Sequence, residues 1–159
     1  MIKIVRIFIL IIILVVSIQY NVFKNSVYYA KNMPHSETTE PQIVMLVDNA
    51  ILLHGVGNIS SEIEISDKGF IYNGENSISA ADHGYLYKTD KITYKFNSNF
   101  SKIEWALDND YKHVDLKNIS EKDIKRDILE NFTPLLDMHT EPTINLQWIF
   151  DWQYKATFN

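Results

Sequence analysis

The sequence predicts an α+β domain in which antiparallel β-hairpins form a curved sheet, with one helix packed on the sheet and a long C-terminal strand. Short segments that alternate polar and apolar residues, separated by turn residues, predict the hairpins. A capped segment with an apolar stripe predicts the helix at about 121–132. A period of two, sustained to the end of the chain, predicts the final strand at about 144–158.

The N-terminal segment 1–24 is predicted to be a signal peptide or a membrane anchor. Lys3 and Arg6 precede an almost unbroken run of Ile, Leu, Val and Phe, which is typical of exported proteins. The uncharged stretch 7–23 has 17 residues, and as a helix it would cover roughly 25 Å. It therefore reaches across a bilayer with local thinning of the lipid, and an uncleaved chain would bind the membrane through this stretch.

Cleavage of this segment is left open by the sequence. Signal peptidase requires small residues one and three positions before the cut. Ala30 meets the first requirement, but the bulky Tyr28 fails the second, so an uncleaved anchor is slightly favoured. More positive charge precedes the apolar run than follows it, which favours a cytoplasmic N-terminus. The domain is then expected outside the cytoplasm, at the cell membrane if the segment stays and secreted if it is removed.

Length and composition bound the rest of the chain. The 159 residues allow one domain of ordinary size, and a polar, proline-containing stretch predicts a linker at 25–42. The predicted extracytoplasmic β-rich domain is then 43–159. The absence of cysteine excludes a disulfide scaffold and thiol catalysis. The net charge of −5 argues against nucleic acid as a partner, and the sequence predicts no cofactor.

The part of the chain beyond residue 30 is more acidic than the whole. Lys3, Arg6 and Lys24 are the only charged side chains in residues 1–30. Of the 15 basic and 20 acidic residues in the chain, 12 and 20 therefore remain, which gives a net charge of −8. Such a domain is expected to be repelled by anionic lipid headgroups and by phosphate backbones, and the alternative is that its charge serves only solubility.

The strands are predicted from alternation and from turn residues between segments. Asp48 and Asn49 tolerate the positive φ that a tight hairpin requires, although a single buried helix is the alternative for the apolar residues on either side. Further along the chain, turn residues between alternating segments predict two more hairpins. The predicted strand segments are 43–47, 50–53, 61–65, 70–72, 85–87, 92–96 and 103–107.

The helix and the final strand carry the clearest patterns. Ser120 is a predicted N-cap, and Pro134 is expected to end the helix. In the final strand every second residue is apolar or aromatic, so these side chains are expected at the centre of the core. Replacing Trp148 or Trp152 by alanine is expected to cost roughly 3–5 kcal/mol if they are buried.

Two groups of residues are candidate sites. Asp137, His139 and Glu141 alternate in sequence, and on an extended segment they would point the same way to hold a divalent metal. The alternative is a solvated loop. Tyr85, Tyr87 and Tyr94 are candidates for an exposed aromatic interaction surface, and the alternative is ordinary cross-strand packing.

These features lead to three functional hypotheses. The first is a non-enzymatic extracytoplasmic module, tethered at the membrane or exported across it, that binds another envelope or secreted component. The second is a fully secreted effector or inhibitor. The third is a metal-assisted hydrolase that uses Asp137, His139 and Glu141. No catalytic motif supports an enzyme beyond this cluster, so the first hypothesis is favoured.

Overall fold

A computed structural model describes residues 2–53 and 63–159, and its fold class is α+β, as predicted. The helices in these residues are α1 (Ile2–Lys24), α2 (Ser26–Asn32), α3 (Pro41–Asp48), α4 (Ala50–Leu53), α5 (Glu121–Asp137) and α6 (Gln147–Phe158). The strands are β1 (Ile63–Ile65), β2 (Ile71–Asn73), β3 (Asn76–Ala81), β4 (Gly84–Lys88), β5 (Ile92–Asn97) and β6 (Ile103–Asp108). The first two residues of the predicted strand 61–65 lie outside the described residues.

The sheet in the described residues is an antiparallel meander of six strands in sequence order. Each strand pairs with the next one along the chain, so the hairpins predicted at 85–87 with 92–96 and onwards to 103–107 are confirmed. Gly69 and Gly74, in the turns on either side of β2, have φ of 77° and 57°. Glycine adopts this left-handed conformation without a steric penalty, which explains why these turns were recognisable in the sequence.

One face of the sheet forms the core together with the helices. Tyr85 and Tyr87 of β4 pair with Phe96 and Tyr94 of β5, and all four rings are buried on this face. Side chains of α3 and α5 reach the same tyrosines by hydrogen bonds. The helices therefore cover this side of the sheet, as the period of two in the strands predicts.

Helix α5 begins where the sequence predicts. The Ser120 hydroxyl accepts a hydrogen bond from the backbone N–H of Asp123 at 3.3 Å, so the N-cap is confirmed. The predicted end at Pro134 is wrong, because the helix continues to Asp137 with the proline inside it. Leu135 and Leu136 are buried, and burial of these side chains offsets the hydrogen bond that proline cannot donate.

The strands predicted at 43–47 and 50–53 are wrong, because α3 and α4 occupy these segments. Pro41 is the first residue of α3, a position where its missing N–H and fixed φ are no disadvantage. Almost every side chain of α3 is buried, so the segment is apolar all round and has no period to identify it. The alternative of a single buried helix is correct in the type of element, but the structure has two helices that are separated at Asn49.

The segment 25–42, predicted to be a linker, contains α2. Tyr29 and Ala30 of α2 are buried, and so are Ser26 and Val27. The predicted start of the domain at residue 43 falls within α3. Ordered, buried structure therefore extends from the end of α1 into the rest of the domain.

The long strand predicted at about 144–158 is wrong, because residues Gln147–Phe158 form α6. Phe150, Tyr154 and Phe158 follow one another on one side of this helix, with ring centroids 4.6 and 6.3 Å apart. Phe150 and Phe158 are fully buried and Tyr154 packs against the core. This stripe, with a spacing of four residues, joins α6 to the domain.

The prediction that Trp148 and Trp152 lie in the core is also wrong. The exposed fractions of these residues are 70% and 77%. They form a second stripe with a spacing of four, offset by two positions from the buried stripe. Two such stripes on opposite sides of one helix produce a period of two in the sequence, which explains the erroneous prediction of a strand.

Candidate functional site

The region where α1 meets the domain is the candidate functional site. Helix α1 is long and apolar enough to cross a membrane or to act as a signal sequence. Its side chains from Ile4 to Ser17 are exposed. Its last two turns are different, since Val22 is only 3% exposed and belongs to the hydrophobic core. The end of the apolar helix therefore packs against the fold on one side, through Val22.

Tyr29 connects three helices at this point. Its hydroxyl donates to the Asn21 side-chain oxygen of α1 at 2.9 Å and accepts the backbone N–H of Leu146 at 3.0 Å. Its backbone carbonyl accepts a hydrogen bond from the Gln147 side-chain amide at 2.8 Å. The Tyr29 ring also packs 5.7 Å from the ring of Phe150. The ends of α1, α2 and α6 are thus joined through one fully buried residue.

A second hydrogen bond joins α6 directly to α1. The Gln153 side-chain amide donates to the Gln19 side-chain oxygen at 3.1 Å. Gln19 and Asn21 are two positions apart, so their side chains leave α1 on opposite flanks, roughly 200° apart. Gln153 contacts α1 directly, whereas Leu146 is joined to Asn21 through the hydroxyl of Tyr29. Helix α6 is therefore packed beside the last two turns of α1.

The exposed side of α6 is apolar. We call Ile144, Trp148 and Trp152 the tryptophan face; they recur every four residues, and all three are exposed. Lys155, one turn beyond Trp152, is also exposed. The buried Phe150 lies roughly 200° around the helix from Trp152, so the tryptophan face points away from the core.

The three metal-ligand candidates are bonded to other groups. Asp137 ends α5 and lies 3.8 Å from the ammonium group of Lys31. Glu141 accepts a hydrogen bond from the Asn145 side-chain amide at 3.1 Å. Within residues 2–53 and 63–159, no group of three or more His, Asp or Glu side chains is arranged to hold a metal ion. The structure therefore does not support the predicted cluster as a metal site.

His139, the remaining member of that cluster, is half-buried. Its Nδ1 lies 2.8 Å from the carbonyl oxygen of Leu135. Burial lowers the pKa of the His139 ring, and this hydrogen bond opposes the shift. The ring lines a pocket of about 340 Å³ together with Phe23 and Leu52. The ring is therefore hydrogen-bonded to the last turn of α5 and lines one pocket together with Phe23 of α1.

The predicted exposed tyrosine surface is wrong, because Tyr85, Tyr87 and Tyr94 are buried. The Tyr85 hydroxyl donates to a carboxylate oxygen of Asp48 at 3.0 Å, and the Tyr87 hydroxyl donates to Asp127. Burial is the largest cause that raises the pKa of all three tyrosines. These residues join the sheet to α3 and α5, as the cross-strand packing alternative implies.

The second face of the sheet carries a mixture of buried and partly exposed side chains, with Ser79 and Lys95 buried. One row of cross-strand neighbours on this face is Ser79, Leu86, Lys95 and Trp105. The next row is Tyr72, Ser77, Lys88, Thr93 and Leu107. Tyr72 is exposed and stacks against Phe70, with ring centroids 6.2 Å apart. This face therefore combines aromatic, aliphatic and polar groups.

A groove of about 660 Å³ opens at one end of this second face. Its charged lining residues are Glu75, Lys88, Asp90 and Asp108. Three carboxylates against one ammonium give the groove a negative balance. Tyr111, at 85% exposure and with a φ of 61°, stands at its margin. The groove lining therefore has a net negative charge.

A second pattern in the sequence, a spacing of four residues, predicts the tryptophan face. Ile144, Trp148 and Trp152 recur every four residues, as do Phe150, Tyr154 and Phe158. A test for a period of four would have separated the two stripes. The hydrogen bonds of Gln19 and Tyr29 to α6 join residues more than 110 positions apart, and no local pattern predicts them.

Comparison of the chain with protein-family models, with curated proteins and with solved structures finds no match.

Proposed function

We propose that the protein is a non-enzymatic binding module that is held at the outer side of the cell membrane by an uncleaved α1. The observation that carries this proposal is the continuity of α1 with the core. Val22 is buried, and Tyr29 bonds to Asn21 of α1 and to Leu146 of the domain. The anchor and the module are therefore one folded unit.

The contacts of α2 argue against cleavage after Ala30, the position considered from the sequence. A cut after Ala30 would fall inside α2 and would remove Val27 and Tyr29 from the core. Loss of several buried side chains costs about 2–5 kcal/mol each, which is comparable with the whole stability of a domain. A retained α1 avoids this loss.

The binding part of the proposal rests on the second face of the sheet. We assign the acidic groove beside Tyr111 to a positively charged segment of another envelope or secreted protein. The net charge of −8 beyond residue 30 would attract such a partner from a distance and increase the rate of association. The aromatic and aliphatic side chains of the face would supply the apolar contacts.

Fractionation of expressing cells with intact-mass measurement tests the anchor. We expect a species of 18.6 kDa, starting at the native N-terminus, in the carbonate-washed membrane fraction. A shortened species in the medium would contradict the anchor and support the secreted effector hypothesis.

Cysteine labelling tests the orientation with little background, because the natural chain has no cysteine. Glu130→Cys places a thiol on the exposed side of α5. An impermeant maleimide should label this variant in intact cells as fully as after lysis, and the unmodified chain provides the blank. Labelling only after lysis would contradict the extracytoplasmic location.

Site-specific photocrosslinking tests the binding face. A photoreactive phenylalanine at Tyr111 should yield a crosslinked protein partner, and the same group at Glu130 should not. A Lys88→Glu variant should strengthen the crosslink and Asp90→Lys should weaken it, because the partner is proposed to be basic. Equal crosslinking at positions 111 and 130, or none at either, would contradict the assignment of the groove.

A further inference from the structure

The tryptophan face of α6 is not explained by anchoring through α1 or by binding at the acidic groove. Ile144, Trp148 and Trp152 are 62%, 70% and 77% exposed. Trp148 and Trp152 are one turn apart on the same side of α6. Ile144 lies in the segment that leads into the helix. Two exposed tryptophans next to each other on one helix are unusual for a surface that faces water.

The position of this face is set by the contacts of α6. Helix α6 contacts the last part of α1 through the hydrogen bond from Gln153 to Gln19, and the residue before α6, Leu146, bonds to Tyr29, which also bonds Asn21 of α1. The opposite side of α6, with Phe150 and Phe158, packs into the domain. The tryptophan face therefore points away from the domain, at the level where α1 would leave the bilayer.

The chemistry of the face matches the interface between lipid and water. The tryptophan ring is largely apolar and its indole N–H donates a hydrogen bond, so tryptophan is enriched at headgroup level in membrane proteins. The exposed Lys155 follows on the same side of the helix and can extend its ammonium group to a lipid phosphate. The nearby Asp151 already accepts a hydrogen bond from Gln147 at 2.8 Å.

We infer that Ile144, Trp148 and Trp152 insert into the interfacial region of the bilayer that α1 crosses. Helix α6 then lies in the plane of the membrane surface and holds the domain in a fixed orientation, which leaves the second face of the sheet accessible. This inference rests on the proposed anchoring by α1, because α1 brings the face to the lipid. The occupant of the face is therefore the lipid surface itself.

Quenching of tryptophan fluorescence by brominated lipid tests the inference, since the described tryptophans are separable by substitution. The full chain is reconstituted in phosphatidylcholine vesicles with and without lipid brominated near the headgroup end of the acyl chain. In the Trp105→Phe variant, the fluorescence comes from Trp148 and Trp152 together. The matched control, Trp148→Phe with Trp152→Phe, reports Trp105 on the sheet. Unchanged circular dichroism spectra would verify that both variants fold.

We expect bromine quenching to be severalfold stronger in Trp105→Phe than in the matched control, with emission shifted to shorter wavelength. Equal quenching in both variants, while both resist extraction by carbonate, would overturn the inference and leave the anchor intact. A face in contact with another protein would give this second result. Extraction of both variants by carbonate would contradict the anchor and the inference together, so the two failures are distinguishable.

Discussion

The hydroxyl of Tyr29 accepts the backbone N–H of Leu146 at 3.0 Å, across 117 positions of sequence. The same hydroxyl donates to Asn21 of α1. A hydrogen bond to this one buried group therefore ties the end of the apolar helix to the start of α6. Through these two hydrogen bonds, the end of α1 is part of the folded domain.

Tyr29→Phe is expected to lower the free energy of unfolding by about 1–3 kcal/mol, because it leaves the Leu146 N–H and the Asn21 side chain without this partner. Thermal unfolding of the full chain in mild detergent measures the effect. Tyr20→Phe is the matched control, since Tyr20 is exposed. Equal melting temperatures for the two variants would show that the junction contributes no stability.

Substitutions on opposite sides of α6 should have very different costs. Phe150→Ala removes a fully buried ring and is expected to cost about 3–5 kcal/mol of stability. Trp148→Ala removes an exposed ring and is expected to change stability by less than about 0.5 kcal/mol in detergent. Chemical denaturation of both variants measures the difference. A large loss in Trp148→Ala would instead support the core position that the strand hypothesis requires.

Gly84→Ala is expected to disrupt the pairing of β4 with β5. A Cβ atom at this position would lie 2.0 Å from the carbonyl oxygen of Phe96 and 2.6 Å from the Lys95 ammonium nitrogen. Backbone must move to relieve the first contact, so we expect a loss of about 3 kcal/mol or more. Gly74→Asn is the control, because this turn has open space and asparagine tolerates positive φ. Similar melting temperatures for both variants would contradict the close approach.

The lowered pKa of His139 predicts a dependence of stability on pH. The unfolded ring titrates near its ordinary pKa of about 6.5, and burial holds the folded pKa below that value. The unfolded state therefore binds the proton more readily. The contribution of His139 is fully present above about pH 6.5 and is lost as the pH falls through the folded pKa.

Melting temperatures of the full chain between pH 8 and 5, compared with those of His139→Gln, isolate this contribution. Burial raises the pKa of Glu40 and Asp48, which gives those carboxyls the opposite pH dependence. Both carboxyls are present in the variant, so the comparison removes their effect. Parallel curves for the two proteins would contradict the assignment of this titration to His139.

The elements that were predicted correctly depend on interactions between near neighbours in sequence. The hairpin of β4 and β5 follows from alternation over a few residues and a short turn. The start of α5 follows from the hydroxyl of Ser120, which bonds three residues ahead. The apolar character of α1 needs no partner to be recognised.

The elements that were predicted wrongly depend on tertiary packing against other parts of the chain. Helix α3 is buried on nearly every side, so its composition contains no period. The end of α5 is extended past Pro134 by burial of Leu135 and Leu136. The candidate surface of Tyr85 and Tyr87 is part of the core, because α3 and α5 cover it and supply the carboxylates that accept hydrogen bonds from the two hydroxyls.

Sequence alone established the α+β class, the antiparallel hairpins and an N-terminal helix suited to a membrane or to export, because each of these follows from local composition and spacing. The direction of the C-terminal side chains required the tertiary structure. Apolar residues at every second position, as in 144–158, fit either one face of a strand or two opposite stripes of a helix. The docking of Phe150 and Phe158 against the domain selects the helix, and this choice exposes Trp148 and Trp152 beside the end of α1.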